Sequence, residues 1–275
     1  MYVTRGYHAL AFDFNLEVDD DELGRYLEWL LDGFPEPADP VQYAVRSIDG
    51  ETRLELHDEV VLQSVGTQAF VASLVPWLNQ QAVDPAYSVT GHAGGVERAG
   101  RACVMPADPE SGKTTLTAGL VRAGYSYLTD EAVSFDWETG EIEPFPKPLS
   151  IDPGSQYLFP ELAPPAPPGA EGNPEGQWNV PPSSIRSDAV GGRCRAAYVV
   201  FPNYAGDAAT RLEPVTRAEA LVELAKNTFQ FREHARRALD TLSDVIREVG
   251  CYRLTVGNLD DACRVIDELM SSDHG

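Results

Sequence analysis

The sequence predicts an α/β protein with a small α+β portion at its N-terminus. Three observations carry that reading. From about residue 85 onward, apolar runs of strand length alternate with helical stripes, the pattern of an α/β core. A Gly112-Lys113-Thr114 step sits between one of those strands and the next helix. Residues 1–84 instead hold hairpin-like strands around two helical stretches.

The elements follow in order. Residues 2–16 alternate weakly and read as a strand. Asp19-Asp20-Asp21 opens a helix whose acidic first turn suits the helix dipole, with Leu23, Leu27, Leu30 and Leu31 as its apolar stripe. Gly33 and the prolines at 35, 37 and 40 stop it. Strands are predicted at Val41–Ile48, Arg53–His57 and Glu59–Gln63, with Asp49-Gly50 as a hairpin turn. A helix over 67–83 rests on Phe70, Leu74, Trp77 and Leu78, although Pro76 falls inside it. Beyond Asp84-Pro85 come strands at His92–Val96 and Arg101–Met105, a helix at Ser111–Ala123, and strands at Tyr125–Leu128 and Ala132–Phe135. Residues 160–182 are crowded with proline and glycine, which predicts an irregular loop, either disordered or a lid. Arg195–Phe201 reads as a buried strand, and Thr216…Glu219 as a capping box opening a helix to Lys226. A helix over 229–249, a strand at Cys251–Val256 and a helix at Leu259–Leu269 complete the chain. This divides it into 1–84 and an α/β domain at 85–275.

The chain has 275 residues, enough for a sizeable core without staples. It carries 43 acidic against 21 basic residues, a net charge of −22. A field of that sign repels nucleic acid and anionic membrane, so neither is an expected partner. Any phosphate site must therefore supply its own local cations. No run approaches a membrane span, and Met1–Asn15 has no pattern of a signal peptide. The four cysteines form no C-x-x-C pair, and the histidines complete no zinc spacing. Free thiols in a cytoplasmic protein are the simplest account.

The chemistry concentrates at Ala107-Asp108-Pro109-Glu110-Ser111-Gly112-Lys113-Thr114. A phosphate-binding loop reads G-x-x-x-x-G-K-[ST] between a strand and a helix. Its backbone N–H groups and the helix N-terminus cradle phosphate oxygens. Lys113 would neutralise the β and γ phosphates, and Thr114 would offer its hydroxyl to Mg²⁺. The candidate nucleotide-binding residues are Asp108, Pro109, Glu110, Ser111, Gly112, Lys113, Thr114 and Thr115, with Ser111 and Thr115 also acting as cap and helix residues. Ala107 stands where the pattern has its first glycine, and Glu110 puts a carboxylate inside the loop. Asp130-Glu131 follows one helix and one strand later, where a Walker-B-like acid belongs. One such acid can bind Mg²⁺ while the other takes a proton. His92 lies 15 residues ahead of Ala107, on the preceding strand.

Together these segments resemble the HPr kinase/phosphorylase family. The resemblance rests on His92 through Arg101, on Pro109 through Thr117, and on Gly124 through Val133. It is firm over about 85–270 and looser before that, and it is closer to HPr-kinase-like proteins without the HPr kinase's own N-terminal domain. It implies a phosphate-loop core of the HPr kinase and phosphoenolpyruvate carboxykinase type, with ATP and Mg²⁺. It implies phosphorylation of a hydroxyl, as in relatives that act on serines of peptides, including lasso-peptide precursors. By the same match Asp130 is the general base, His92 its partner, and Glu131 the Mg²⁺-linked acid beside the Thr114 of the loop. Lys147 and Arg186 are further candidates for phosphate or substrate contact, and Trp178 for stacking on adenine. Two alternatives stand beside a serine kinase: a kinase for a sugar or other small alcohol, and a non-catalytic nucleotide-binding regulator. Ala107 and Glu110 favour the last of these.

Overall fold

The computed structural model describes residues 1–84, 87–108, 111–170 and 176–272. Its elements, in chain order, are β1 (Tyr2–Val3), β2 (Tyr7–Ala9), β3 (Phe12–Val18), α1 (Asp21–Leu30), β4 (Val41–Ile48), β5 (Glu51–Leu56), β6 (Glu59–Val65) and α2 (Gly66–Ala82). Then come β7 (Ser88–Arg98), β8 (Arg101–Pro106), α3 (Lys113–Arg122), β9 (Ser126–Thr129), β10 (Ala132–Asp136), β11 (Ile142–Glu143), β12 (Leu149–Ile151) and β13 (Trp178–Val180). Last are β14 (Arg195–Tyr204), β15 (Arg211–Pro214), α4 (Arg217–Lys226), α5 (Ala235–Glu248), β16 (Gly250–Val256) and α6 (Leu259–Ser271). The architecture is mixed α/β, as predicted.

The chain forms two compact units. One joins residues 1–82 to 146–184, and the other joins 83–145 to 185–275. Residues 146–184 thus pack with the N-terminal part.

In the first unit a six-stranded sheet runs β1-β3-β4-β5-β6, with β2 paired to β3. α1 is the crossover between the parallel strands β3 and β4. Its N-cap Asp20 accepts hydrogen bonds from the N–H groups of Glu22 and Leu23, and Leu23, Leu27 and Leu30 are buried. The tight turns at Asp49-Gly50 and His57-Asp58 all have positive φ, which suits two-residue hairpins. The stretch 2–16 is three strands, not one. Leu10 takes φ +57° at the reversal between β2 and β3, and nothing in its type announces a turn. α2 runs continuously past Pro76.

The described parts of the proline-rich stretch are also more regular than predicted, while 171–175 lie outside the described residues. Pro160–Leu162 and Pro182–Ser184 are 3₁₀ turns, which tolerate proline at their first positions because that N–H needs no partner. Trp178–Val180 pairs antiparallel with Leu149–Ile151. Leu149, Phe159 and Val180 are buried. The Thr67 hydroxyl donates to the Pro168 carbonyl at 2.6 Å, and the Ser183 hydroxyl to Asp32. A Cβ on Gly33 would meet the Pro146 carbonyl oxygen at 2.5 Å, so only glycine fits that approach. These contacts tie 146–184 to the first unit.

In the second unit an eight-stranded sheet runs β11-β10-β7-β8-β14-β16-β15, with β9 paired to β7. β8, β14 and β16 are parallel neighbours. Val104, Leu128, Phe135, Val199, Leu224, Leu242 and Ile246 belong to its core. α3 lies against α6 so closely that a Cβ on Gly119 would sit 2.7 Å from Leu259. The predicted helix 229–249 begins only at Ala235. Gln230 has φ +46°, and the Phe229 N–H is spent on the Thr90 carbonyl at 2.9 Å, so this stretch docks on β7. Cys103, Cys194 and Cys251 are buried, and no disulfide is found among the described residues.

Candidate functional site

The site begins at the C-terminal end of β8, a strand flanked on both sides within its sheet. In open α/β sheets the carboxyl ends of such strands are where ligands bind. Ala107 and Asp108 leave the strand, and Ser111 and Gly112 lead into α3. Pro109 and Glu110 lie outside the described residues. Gly112 is the N-cap of α3 at φ +87°, a left-handed backbone that glycine adopts without strain. That conformation turns the chain so that Lys113 starts the helix.

Lys113 is only 6% exposed. Its Nζ donates to the carbonyl oxygens of Ala107 and Asp108, both at 2.7 Å. The side chain therefore curls back over its own loop. Burial lowers its pKa, against the opposing pull of Glu131, Asp130 and Asp108. Three carboxylates thus act on one ammonium. Nearby, the Ser111 Oγ is buried with no hydrogen-bond partner among the described residues.

The acidic pair follows β9. Asp130 is 2% exposed, and both its oxygens accept hydrogen bonds. The Thr114 hydroxyl donates to Oδ2 at 2.9 Å, and the Tyr127 hydroxyl to Oδ1 at 2.8 Å. The Asp130 N–H in turn donates to the Tyr127 oxygen at 3.0 Å. Tyr127 is fully buried, and burial with the Asp130 charge raises its pKa far above the ordinary phenol value. Thr129 shapes the turn, its hydroxyl oxygen accepting from the N–H groups of Glu131 and Ala132 at 3.1 Å each.

Glu131 is placed by the sheet. Its carbonyl accepts from the Ala93 N–H at 3.1 Å, and Ala132 stands opposite His92 in the β7–β10 ladder. This brings His92 Nε2 to 3.5 Å from Glu131 Oε1. The His92 ring also lies 5.7 Å from the Phe229 ring, and the His92 backbone N–H donates to the Asn227 carbonyl at 2.6 Å.

The structure therefore brings together His92, Lys113, Thr114, Asp130 and Glu131, all predicted from sequence. The ion pair given for His92 is with Glu131, and the Thr114 hydroxyl donates to Asp130. Arg186 does not stand free over the loop: its guanidinium donates to the Tyr125 carbonyl at 2.9 Å and to Asp188 at 2.8 Å. Lys147 is buried in the first unit, where its Nζ donates to the Pro148 carbonyl at 2.9 Å and the Ser150 hydroxyl at 3.2 Å. Trp178 is a half-buried strand residue opposite Ile151. Tyr127 and Phe229 were missed, the first because an apolar strand is all its neighbours suggest.

The residues present fit a magnesium-bound nucleotide. Mg²⁺ uses one or two carboxylates, a hydroxyl and substrate phosphates, with water filling the rest. Asp130 and Thr114 make such a pair, and the unpartnered Ser111 Oγ is a donor ready for an anion. Among the described residues no group of three or more His, Cys, Asp or Glu side chains forms a metal site of its own. No helix of the described residues is long and apolar enough to cross a membrane. No family model matches the chain, and no curated protein matches it.

Proposed function

We propose that this chain is an ATP- and Mg²⁺-dependent kinase that transfers the γ-phosphoryl group to a hydroxyl, with a serine of a peptide or protein as the favoured acceptor. One observation carries the reading. A lysine at a helix N-terminus after a central strand, a threonine next to it, and a buried acid bonded to that threonine are the parts a phosphate-loop phosphotransferase needs. The preference for serine rests on the sequence resemblance alone, and a sugar or other small alcohol is the alternative acceptor. Phosphoryl transfer depends mainly on positioning and charge stabilisation, so few groups suffice. Lys113 would leave its loop carbonyls for the β and γ phosphates. Gly112 and the first turn of α3 would present N–H groups to the same oxygens. Asp130 and Thr114 would hold Mg²⁺, which neutralises phosphate charge when bound. One of the two acids would take the hydroxyl proton. A cytoplasmic setting supplies ATP and keeps the four thiols reduced.

A non-catalytic nucleotide-binding regulator is the second reading. Ala107 in place of the first loop glycine, and a Lys113 already satisfied by loop carbonyls, favour it. Incubation with γ-labelled ATP and Mg²⁺ separates the two, with release to water and transfer to serine peptides or sugars both followed. The kinase reading predicts turnover with at least one of these. Tight ATP binding with no transfer to any of them would establish the regulator instead.

A further inference from the structure

We infer that the outer edge of β6, with the exposed side of α2 beside it, is the contact through which two copies of this chain pair. The inference is independent of the phosphotransfer reading and concerns the first unit alone.

The sequence sets up the anomaly. Residues 60–83 hold no Asp, Glu, Lys, Arg or His, in a chain with 43 acidic and 21 basic residues. The next longest such run, 196–206, is mostly the strand β14, which lies inside its sheet between β8 and β16. Burial accounts for an uncharged run there. It does not account for the first. β6 is the last strand of its sheet, and among the described residues no strand pairs with its outer edge. Val65 is 79% exposed, Val60 46% and Val61 38%. α2 follows directly, and the Ser64 hydroxyl of β6 donates to the Ser73 hydroxyl of α2 at 3.3 Å. Phe70, Leu74 and Leu78 of α2 are buried, while Ala69, Ala72 and Pro76 are exposed. A helix facing water usually carries charge on that side. α1 of the same unit does, exposing Asp21, Glu22 and Arg25.

An unpaired edge with exposed valines is a template for another strand. Charge selects the occupant. Each copy carries −22, so two copies repel wherever their charged surfaces meet. An uncharged strip is where they approach at least cost. A cationic partner would gain more on the acidic remainder of the surface, and an anionic one is repelled by it. A second copy also brings the same strip, so a two-fold contact is self-complementary. Charge fixes the direction as well. Glu59 is the single charged residue of β6. Antiparallel pairing centred near Gln63 keeps the two Glu59 carboxylates ~27 Å apart at ~3.4 Å per residue, well beyond the screening length at physiological salt. Parallel pairing would set them side by side. The register shift beside Glu55 makes Val61 the bulged residue and leaves 62–65 regular, so the pairing falls on that half of the strand.

The test uses the full chain in reducing buffer. Sedimentation velocity over a range of protein concentrations should show a species of twice the chain's mass. Its share should grow as NaCl rises from low to moderate, because salt screens the repulsion and the contact has no ion pair to lose. Val61→Lys combined with Val65→Lys should raise the dissociation constant ~10-fold or more, because it opposes like charges across the contact. Both sites are exposed, so the single chain keeps its fold. Lysine also lowers the net charge, so weaker pairing reports the contact and not the overall field. Val222→Lys, on the exposed surface of α4, should leave pairing unchanged. Hydrogen exchange gives a second readout, in which protection of 61–65 should rise with protein concentration. A chain that stays monomeric throughout would overturn the inference. So would a dimer that the double lysine variant leaves intact, or one that salt dissociates. Protection of 61–65 that appears only when a serine peptide is added would give the edge to an acceptor and overturn the second copy.

Discussion

Gly112 and Lys113 show how one backbone angle sets up a charge. At φ +87° Gly112 turns the loop into α3 and leaves Lys113 as the first helical residue. No neighbour among the described residues would block a Cβ there, so against these a substitution acts through the backbone. Gly112→Ala should cost ~1–2 kcal/mol of stability, the left-handed penalty of an L-residue. Chemical denaturation checks it, and an unchanged midpoint would mean the loop relaxes into another shape. The candidate residues were legible as a cluster because the phosphate-loop pattern sets its lysine, its threonine and the acid one strand later at known spacings. Their pairing was not legible. That His92 meets Glu131 depends on the β7–β10 register, and register is a tertiary fact. Tyr127 was invisible for the same reason: its hydroxyl meets Asp130 only because the chain turns at Thr129.

Elements with caps and periodicity were read well, and those made by pairing were not. α4 appeared where Thr216 and Glu219 placed it, and its capping box forms in full. Thr216→Ala should lower stability by ~1 kcal/mol, since it removes a side-chain acceptor for an otherwise orphan N–H. An unchanged urea midpoint would show that packing alone holds the helix. α5 was predicted too long because its amphipathic pattern extends back into 229–234, where the chain docks on β7 instead. The proline-rich stretch misled for a different reason. Proline removes donors, but a segment can be ordered through its carbonyls and side chains, as at Pro168 and Ser183. Limited proteolysis without nucleotide should therefore leave 160–170 and 178–184 intact. Early cuts inside either range would restore the idea of a free lid.

Across the whole molecule, charge and buried titratable groups set the response to solution conditions. A net charge of −22 means self-repulsion, which salt screens. Thermal midpoints should rise between low and moderate NaCl, and a fall would mean specific surface ion pairs dominate. High pH should work in the opposite direction. Burial pushes Cys103 and Cys194 up to about 12 from an ordinary 9.0. It also pushes Tyr7 and Tyr26 up to about 12 from 10.0. In that range the unfolded chain has released protons that the folded chain still holds, so stability falls as pH rises from about 9 toward 12. Thermal melts in reducing buffer across that window test the sign, and a flat profile would contradict the burial of these groups. The central claim is that Lys113 and its loop form a phosphate site. Calorimetric titration with a non-hydrolysable ATP analogue and Mg²⁺, wild type against Lys113→Ala, tests it most directly. Removing the one cation buried in the loop of so acidic a chain should cost ~2 kcal/mol or more in binding, the scale of a charge-assisted hydrogen bond. Equal affinity in the two proteins would mean that the loop holds no phosphate.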